Sequence, residues 1–531
     1  MKLKFITFVS ISCLFFFNTN CSSVQKTNAH IDSKIPVKDL QKDIDYVEYK
    51  LNKLHPSLDW YISKEDLHKK FDSLRTTIVT PLTPNEFFLA ISPVIASVKQ
   101  GHMGIFPLNK KTDKKELKAL NKLGKHPLSL MMFRYQDDNM YLLKNYTKDT
   151  LIKTGSKVIS VQGIEPKQLY DKYRKTYGSD GLNTTFLPYA FASRFSMFLM
   201  LEKPIKDSVH VVFNYKDSIY ERTITRAGLT NKDSVAKVAP EKIIAKLSKE
   251  EKRAKAIENK KISTRNKLFL YDKTTKEFTR SLTYIPSDST IAVLKIKAFQ
   301  HTRHKKAYDS IFNEIKSKGV KTLVLDLRYN GGGSLAEIHN FYSYLSPEPF
   351  VFIDTVRVTT RTAVATNKLR SFPKVLLVAF SPVVLPFLVK NILAVKKDEK
   401  GQLYLKSKEQ KLTEPKPNRF DGKLYVLTNG GSFSASCILS SNLKNSNRAV
   451  FVGEETGGTY NGTVAGTMPL LKLPNSKLLF RIGLQDIRPV KQTTEFGRGI
   501  LPDVTIIPTS EQITDNKDPE LDWIIEDAKN N

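Results

Sequence analysis

A unit of apolar strand, glycine-bearing turn and helix recurs in the second half of the chain, and it constrains the fold more than any other feature. One apolar strand, over residues 322–327, runs into Tyr-Asn-Gly-Gly-Gly, and a helical pattern follows over 334–345. Another strand, over 423–427, runs into Asn-Gly-Gly-Ser-Phe-Ser-Ala-Ser-Cys at 429–437, and a helix follows Ser434. This alternation predicts an α/β core with a mixed, largely parallel sheet and covering helices.

The first half of the chain is organised differently. Apolar residues recur at steps of three and four over 39–54, and Thr-Pro-Asn-Glu at 83–86 is typical of a capped helix start. The predicted regions are, in order, an N-terminal helical region over 36–110, a small β-rich domain over 127–227, a charged linker over 228–265, the α/β core over 266–515 with an insertion near 372–415, and a tail over 516–531.

The sequence begins with the pattern of an exported protein. Lys2 and Lys4 precede an apolar stretch over 5–17 that is too short to form a stable membrane span. Cys21 follows, as at the cleavage site of a bacterial lipoprotein. We therefore predict a signal peptide over 1–20, lipid attachment at Cys21, a tether over 21–35 and a location in the bacterial cell envelope, facing the periplasm or the cell surface. Plain secretion is the alternative.

Charge and cysteine content narrow the possible partners. The chain carries 84 Lys and Arg against 53 Asp and Glu, a net charge of +31. Because the lysines are spread along the chain without a recognisable nucleic-acid module, we expect a solvated basic surface and no nucleic-acid partner. If Cys13 leaves with the signal peptide and Cys21 is acylated, Cys437 has no partner for a disulfide. Zinc spacing and acidic calcium loops are absent from the sequence, so we predict no metal and no cofactor.

An apolar insertion over 375–395 raises the question of a membrane-spanning segment. Pro382, Pro386, Lys390 and Asn391 interrupt it. We therefore favour core packing, or a lid beside the sheet, over a membrane span.

The two glycine turns carry the candidate chemistry. Glycines after a strand let backbone N–H groups point outward, where they bind a phosphate or stabilise an oxyanion. The glycine triplet at 331–333 lacks the Lys-Ser/Thr pair of a phosphate-binding P-loop. In the second turn, a serine between a strand and a helix is either an exposed nucleophile or a plain helix cap.

Together these motifs resemble those of the S41 peptidases, the family of the tail-specific and tricorn-like proteases. The similar segments include Val-Gly-Glu-Glu-Thr-Gly-Gly at 452–458 and Gly-Ile-Leu-Pro-Asp-Val at 499–504, and the resemblance extends over about residues 40–515. It implies a crotonase-like sheet in the core, serine-type peptidase chemistry and polypeptide substrates. Residues 155–163 resemble the carboxylate-binding side of the PDZ-like domain that many members carry.

The resemblance also assigns roles near the second turn. The nucleophile would be Ser434, the first serine of Ser-Ala-Ser. The backbone amide of Ala435, with that of Gly332 or Gly333, would form the oxyanion hole. Cys437 stands where the family has a glutamate, and its place along the helix predicts packing rather than catalysis.

The predicted base departs from that of the processing peptidases. The position of their catalytic lysine corresponds to Thr459, whose hydroxyl is no base near neutral pH. Tricorn-like members use a histidine, and Gln-Gly-His at 100–102 falls at the corresponding place. His102 is therefore the predicted base, although a histidine at a helix end also commonly binds a carbonyl. Glu495 is the predicted acid that orients it, with Glu454 as the alternative.

These residues predict an exported serine peptidase in which Ser434 forms an acyl-enzyme, while His102 acts first as base and then as acid. The alternative is a catalytically silent relative. It would keep the fold and bind peptide C-termini through the PDZ-like domain.

Overall fold

The computed structural model describes residues 23–226, 248–369 and 381–530. The predicted signal peptide, the predicted lipid attachment at Cys21 and much of the predicted linker lie outside this part of the chain. Export and lipid attachment therefore stay predictions.

The N-terminal region is helical, as its periodicity predicts. Its elements are the helices α1 (Val24–Asp32), α2 (Val37–Leu54), α3 (Lys64–Thr77), α4 (Pro84–Ala96) and α5 (Lys114–Leu123), with the short strand β1 (Gly104–Phe106) after the fourth. The predicted cap of α4 forms, because the Thr83 hydroxyl accepts from the N–H of Glu86 and the Glu86 carboxylate accepts from the N–H of Thr83.

A small antiparallel sheet follows. Its strands lie in the order β2 (Met131–Gln136), β3 (Asn139–Asn145), β4 (Lys157–Val161), β5 (Ser208–Tyr215) and β6 (Ser218–Thr225), with helices α6 (Pro166–Tyr173) and α7 (Phe186–Glu202) between β4 and β5. The last two strands, β5 and β6, pair as an antiparallel hairpin. Strand β2 lies at the edge of the sheet, and α7 packs against it. This sheet and the N-terminal helices share one continuous hydrophobic core.

The α/β core is built on one six-stranded sheet. The chain enters it through the exposed helix α8 (Lys249–Leu268) and the small hairpin of β7 (Tyr271–Asp272) and β8 (Glu277–Phe278). The sheet consists of β9 (Arg280–Ile285), β10 (Asp288–Ile296), β11 (Thr322–Asp326), β15 (Lys423–Thr428), β16 (Val450–Gly453) and β21 (Val504–Thr505), in that spatial order. All neighbours are parallel except β9, which pairs antiparallel with β10. The predicted mixed, largely parallel α/β core is confirmed.

Helices cover both faces of this sheet. In β11, Leu323 and Leu325 pack into one core and Val324 packs into the other. The first core includes α9 (His304–Ser317), α10 (Leu335–Tyr342) and α13 (Ala435–Asn445), and the second includes α15 (Pro519–Asn530). Because both faces are buried, the strands are apolar without alternation, and this made them recognisable from sequence.

A small three-stranded sheet joins the two halves of the chain. Strand β1 pairs antiparallel with β19 (Leu479–Arg481), which also pairs with β18 (Leu470–Lys472). This pairing places the residues just before β1 beside the α/β core, although they are far from it in sequence. The remaining strands form a five-stranded sheet in the order β13 (Val395–Lys397), β14 (Leu403–Leu405), β12 (Val356–Val358), β20 (Gln485–Ile487) and β17 (Thr463–Ala465).

The predicted apolar insertion over 375–395 contains helix α12 (Ser381–Leu393), and helix α11 (Ala363–Leu369) precedes it in the chain. Across the three described stretches of the chain, no helix is both long and apolar enough to span a bilayer. Residues 370–380, which include the start of the insertion, lie outside the described residues.

Candidate active site

Ser434 lies in the turn between β15 and α13, in an unusual backbone conformation. Its φ of 59° and ψ of −119° put a residue with a side chain in a region that normally requires glycine. It occupies the N-cap of α13, yet its side chain makes no capping hydrogen bond. The strained turn therefore presents the hydroxyl away from the helix, as a nucleophile requires.

The neighbouring serines have structural partners instead. The Ser432 hydroxyl donates to the backbone oxygen of Leu327 and accepts from the N–H of Asn429. The Ser436 hydroxyl donates to the backbone oxygen of Asn330. Both serines are buried and hold the turn to the end of β11.

The structure brings His102 to Ser434. The two atoms His102 Nε2 and Ser434 Oγ are 2.9 Å apart, and the residues are 332 positions apart in the chain. The pairing of β1 with β19 sets this position, because the Arg481 Nε donates to the backbone oxygen of His102 at 2.7 Å. The Phe433 ring lies against the imidazole, with 4.8 Å between ring centroids.

The far side of the imidazole faces two residues that the sequence had not indicated. Thr463 Oγ1 lies 3.1 Å from His102 Nδ1 and donates to Asp180 Oδ2 at 3.1 Å. Asp180 Oδ1 accepts from the N–H of Gly101 at 2.6 Å. A chain of hydrogen bonds therefore runs from Ser434 through His102 and Thr463 to a buried carboxyl group.

Burial shifts both titratable groups of this chain. Burial, together with the nearby Arg481 guanidinium, lowers the pKa of His102 to about 3. Burial raises the pKa of Asp180 to about 7, although the Gly101 N–H and the Thr463 hydroxyl favour its charged form. The imidazole is therefore neutral in the resting site, and the carboxyl group changes its charge near neutral pH.

The structure does not bring Glu495, the acid predicted to orient the histidine, to the imidazole. Glu495 is exposed, and its backbone N–H donates to the Thr493 hydroxyl, while Thr463 occupies the Nδ1 side of His102. The alternative, Glu454, is buried but belongs to another network. It accepts from Arg134 at 2.8 Å, from the Tyr189 hydroxyl at 2.6 Å and from the N–H of Gly430 at 3.3 Å.

The predicted oxyanion residues are close to Ser434, but their roles differ. A Cβ on Gly332 would lie 2.6 Å from the Ser434 Cβ and 2.8 Å from the Ala435 nitrogen. Gly332 has a φ of 100°, and its own N–H donates to the Asn330 side chain at 2.9 Å, so it shapes the site instead of donating into it. Gly333 packs against the Phe299 backbone. The N–H of Ala435, at the start of α13, therefore stays the predicted donor to the oxyanion.

Thr459 and Cys437 both donate hydrogen bonds to nearby backbone oxygens. The hydroxyl of Thr459, the residue expected in place of the processing peptidases' lysine, donates to the backbone oxygen of Gly462. The Cys437 thiol is buried and donates to the backbone oxygen of Ser432. Burial raises the pKa of Cys437 to about 12, which makes it a poor nucleophile.

A cavity of about 540 Å³ opens beside the turn that carries Ser434. Its walls are the edge strand β2 and helix α7, which contribute Met132, Phe133 and Ala190, and its inner end reaches Gly331 and Gly431. Residues 155–163, expected on the carboxylate-binding side, are elsewhere. A Cβ on Gly155 would lie 2.3 Å from the Thr514 backbone oxygen, so this segment is packed against helix α14 (Ser510–Thr514).

The described residues contain no group of three or more His, Cys, Asp or Glu side chains placed to hold a metal ion.

The sequence contains only a weak signal for the two residues that it failed to indicate. Asp180 sits in Tyr-Gly-Ser-Asp-Gly-Leu-Asn at 177–183, a polar, glycine-flanked loop between helices, and such loops often carry functional residues. Thr463 begins a three-residue strand and has no distinguishing context. Asp180 and Thr463 are 283 positions apart, so only the fold relates them.

Comparisons with known proteins agree with this architecture. Residues 290–506 match the sequence model of a family described as Peptidase family S41. The solved structure of mature CPAF is similar with a TM-score of 0.56 and 14% identity, over 90% of this chain and 94% of that chain. The structure of mature CPAF complexed with lactacystin has a TM-score of 0.56 and 14% identity, over 90% of this chain and 95% of that chain. The structure of a photosystem II D1 C-terminal processing protease has a TM-score of 0.40 and 14% identity, over 88% of this chain and 92% of that chain. No curated protein matches the chain. The two CPAF structures show a shared fold.

Proposed function

We propose that this chain, whose residues 290–506 belong to peptidase family S41, hydrolyses peptide bonds through an acyl-enzyme on Ser434. The observation that carries the proposal is the 2.9 Å contact between Ser434 Oγ and His102 Nε2. A nucleophile and a base at hydrogen-bond distance, on a strained turn, are the arrangement that activates a serine.

Each step uses groups of the site. His102 Nε2 takes the Ser434 hydroxyl proton while Oγ attacks the carbonyl carbon of the scissile bond. The Ala435 N–H supports the oxyanion at the start of α13, where the helix dipole adds positive potential. The imidazolium then gives its proton to the leaving amine. Water repeats the sequence on the acyl-enzyme and releases the carboxyl product.

The test is turnover of a generic fluorogenic peptide, together with labelling by a serine-directed fluorophosphonate. Ser434→Ala and His102→Ala should each lower turnover by about 10³-fold or more, and the double variant should be little worse, because the two residues act as a unit. Ser73→Ala and His68→Ala, at exposed positions on α3, are matched controls and should keep wild-type rates. An active His102→Ala variant would contradict the assignment.

A second candidate function rests on the cavity beside the turn. We propose that the free edge of β2 accepts an extended peptide as an added strand, while α7 covers its side chains. The catalytically silent alternative would use this surface alone. Full-length Ser434→Ala protein titrated with peptides that carry free or amidated C-termini tests it. Equal or absent binding of both peptides would contradict recognition of C-termini.

We also propose that the protein is exported and anchored to the envelope membrane through a lipid on Cys21, with polypeptides as its substrates. The N-terminal pattern of Lys2, Lys4 and the apolar stretch over 5–17 supports export. Cys21→Ala should release the protein from the membrane fraction. An intact mass that corresponds to cleavage elsewhere, without lipid, would disprove the anchor.

A further inference from the structure

Both ring nitrogens of His102 face hydroxyl groups. Nε2 faces Ser434 and Nδ1 faces Thr463. A hydroxyl can donate or accept, and a neutral imidazole carries its proton on either nitrogen. The two contacts at the ring therefore allow two opposite arrangements. Only the one with the proton on Nδ1 leaves Nε2 able to take the Ser434 proton.

The group beyond Thr463 decides between these arrangements. Thr463 has one hydroxyl proton, and its oxygen contacts both His102 Nδ1 and Asp180 Oδ2. An ionised carboxylate only accepts hydrogen bonds. The Thr463 proton must then point to Asp180, so the Thr463 oxygen accepts from Nδ1–H, and Nε2 keeps its lone pair.

We propose that Thr463 and Asp180 are positioning residues, and that the charge of Asp180 selects the catalytic tautomer of His102. The inference rests on the proposed function, because it concerns the base of that reaction. Neither residue touches the reacting atoms. The chain of contacts is continuous, with 2.9 Å at Nε2, 3.1 Å at Nδ1 and 3.1 Å at the carboxyl group.

Protonation of Asp180 reverses the direction of the hydrogen bonds that join Asp180, Thr463 and His102. Asp180 Oδ1 already accepts from the N–H of Gly101 at 2.6 Å, so the added proton resides on Oδ2, which faces Thr463. Oδ2–H then donates to Thr463, and the Thr463 proton turns to His102 Nδ1. The imidazole proton moves to Nε2, which can no longer accept from Ser434. The site is inactive in this state, although no heavy atom has moved.

The surroundings of Asp180 leave its charge free to change near neutral pH. Asp180 is 1% exposed, and its carboxyl group accepts from one N–H and one hydroxyl. The titratable groups that face it from neighbouring elements are His102, Tyr61 and Cys437, with Asp486 and Arg488 beyond Tyr61. Burial lowers the pKa of the imidazole and raises those of the phenol and the thiol, so none of the three titrates near neutral pH. Burial raises the pKa of Asp180 itself to about 7.

The experiment compares three full-length variants with wild type from about pH 5 to about pH 9, at saturating peptide. Asp180→Asn keeps the shape but is a permanent donor toward Thr463, so kcat at about pH 8 should fall by about 10²–10⁴-fold, and the acid limb near pH 7 should disappear. Thr463→Val removes the hydroxyl and should lose a similar factor. Thr463→Ser restores the hydroxyl and should keep the limb and a rate within about threefold of wild type.

A second measurement reads the tautomer directly. With ¹⁵N-labelled histidine, wild type at about pH 8 should show the His102 proton on Nδ1, and Asp180→Asn should show it on Nε2. The wild-type signal should change from the first form to the second as the pH falls through about 7. This readout does not depend on turnover.

The outcomes separate the two proposals. An inactive wild type whose Ser434 is not labelled would overturn the proposed function, and the tautomer signal would still decide the role of Asp180. Asp180→Asn with a wild-type rate and an unchanged acid limb would overturn the positioning role and leave the function standing. If Asp180→Asn does not fold, Thr463→Val and the wild-type tautomer signal decide. A tautomer that does not change with pH overturns the inference.

Discussion

Two buried carboxyl groups, those of Glu454 and Asp180, lie near the turn that carries Ser434, and their partners differ in charge. Glu454, on the side of the cavity, pairs with the Arg134 guanidinium and also accepts from Tyr189 and Gly430. Asp180, on the side of the histidine, accepts from one N–H and one hydroxyl. A cation beside a buried carboxylate stabilises its charge, whereas burial without one makes the charged and neutral forms similar in free energy.

Because their partners differ, we expect Glu454 to have a structural role and Asp180 to respond to pH. The Arg134–Glu454 pair links β2 of the small sheet to the turn after β15, because Glu454 also accepts from the N–H of Gly430. It is a permanent structural connection between the cavity wall and the catalytic turn. Among the described residues, Asp180 accepts from an N–H and a hydroxyl instead of a cation, so its charge can change with pH. The following predictions test this comparison, from the largest expected effect to the smallest.

The largest effect is expected on the paired side. Arg134→Met leaves the Glu454 carboxylate buried without its cation, so the free energy of unfolding should fall by about 3–5 kcal/mol. Urea unfolding measures it. The double variant with Glu454→Gln removes both charges and should recover part of the loss. A single variant within about 1 kcal/mol of wild type would show that the pair is not a clamp.

On the other side, removing the charge should stabilise the protein. The pKa of Asp180 is raised in the folded state, so the folded protein retains a proton that the unfolded chain releases between about pH 4 and about pH 7. Wild-type stability therefore falls as the pH rises through this window. Asp180→Asn should exceed wild type by about 2–4 kcal/mol at about pH 8 and equal it near pH 4.

Urea unfolding at several pH values measures this effect, with Asp217→Asn as the control at an exposed position. A stability difference that does not depend on pH would contradict the raised pKa. A destabilised Asp180→Asn at about pH 8 would mean that the Gly101 and Thr463 hydrogen bonds outweigh the burial cost.

A third prediction distinguishes Glu454 from Asp180 by the pH dependence of peptide turnover. Glu454→Gln weakens the hold on Gly430 and Tyr189, so turnover should fall by about tenfold. The acid limb near pH 7 should stay where it is, because that limb belongs to Asp180. Full pH profiles of peptide turnover measure both properties. A limb that moves with Glu454→Gln would mean that the two carboxyl groups titrate together.

The smallest effect is expected at Glu495. This residue is exposed and contacts the Thr493 hydroxyl through its backbone, so Glu495→Gln should keep turnover within about twofold and leave the pH profile unchanged. The same assay with Asp180→Asn provides the contrast. A large loss at Glu495 would return the orienting role to it and contradict the chain through Thr463.

Several features of the site were predictable because they are local. The Asn-Gly-Gly-Ser-Phe-Ser-Ala-Ser turn after an apolar strand points to a serine at a helix start, and the absence of lysine at 459 directs attention to His102. The contact between Ser434 and His102 agrees with that interpretation. The failure of Gly332 to donate into the site was not predictable in the same way, because its N–H donates to the side chain of Asn330, two residues away.

The sequence by itself indicated the alternation of strands and helices in the core, the helical N-terminal region, and the turn that carries Ser434. These follow from patterns that repeat within a few residues. Tertiary structure alone decided which acid serves the histidine. Glu495 is close to a recognisable motif, but Asp180 reaches the imidazole through Thr463, and these two residues lie on a loop and a strand that are 283 positions apart in the chain. A hydrogen bond depends on distances of a few tenths of an ångström, and packing between distant segments sets them.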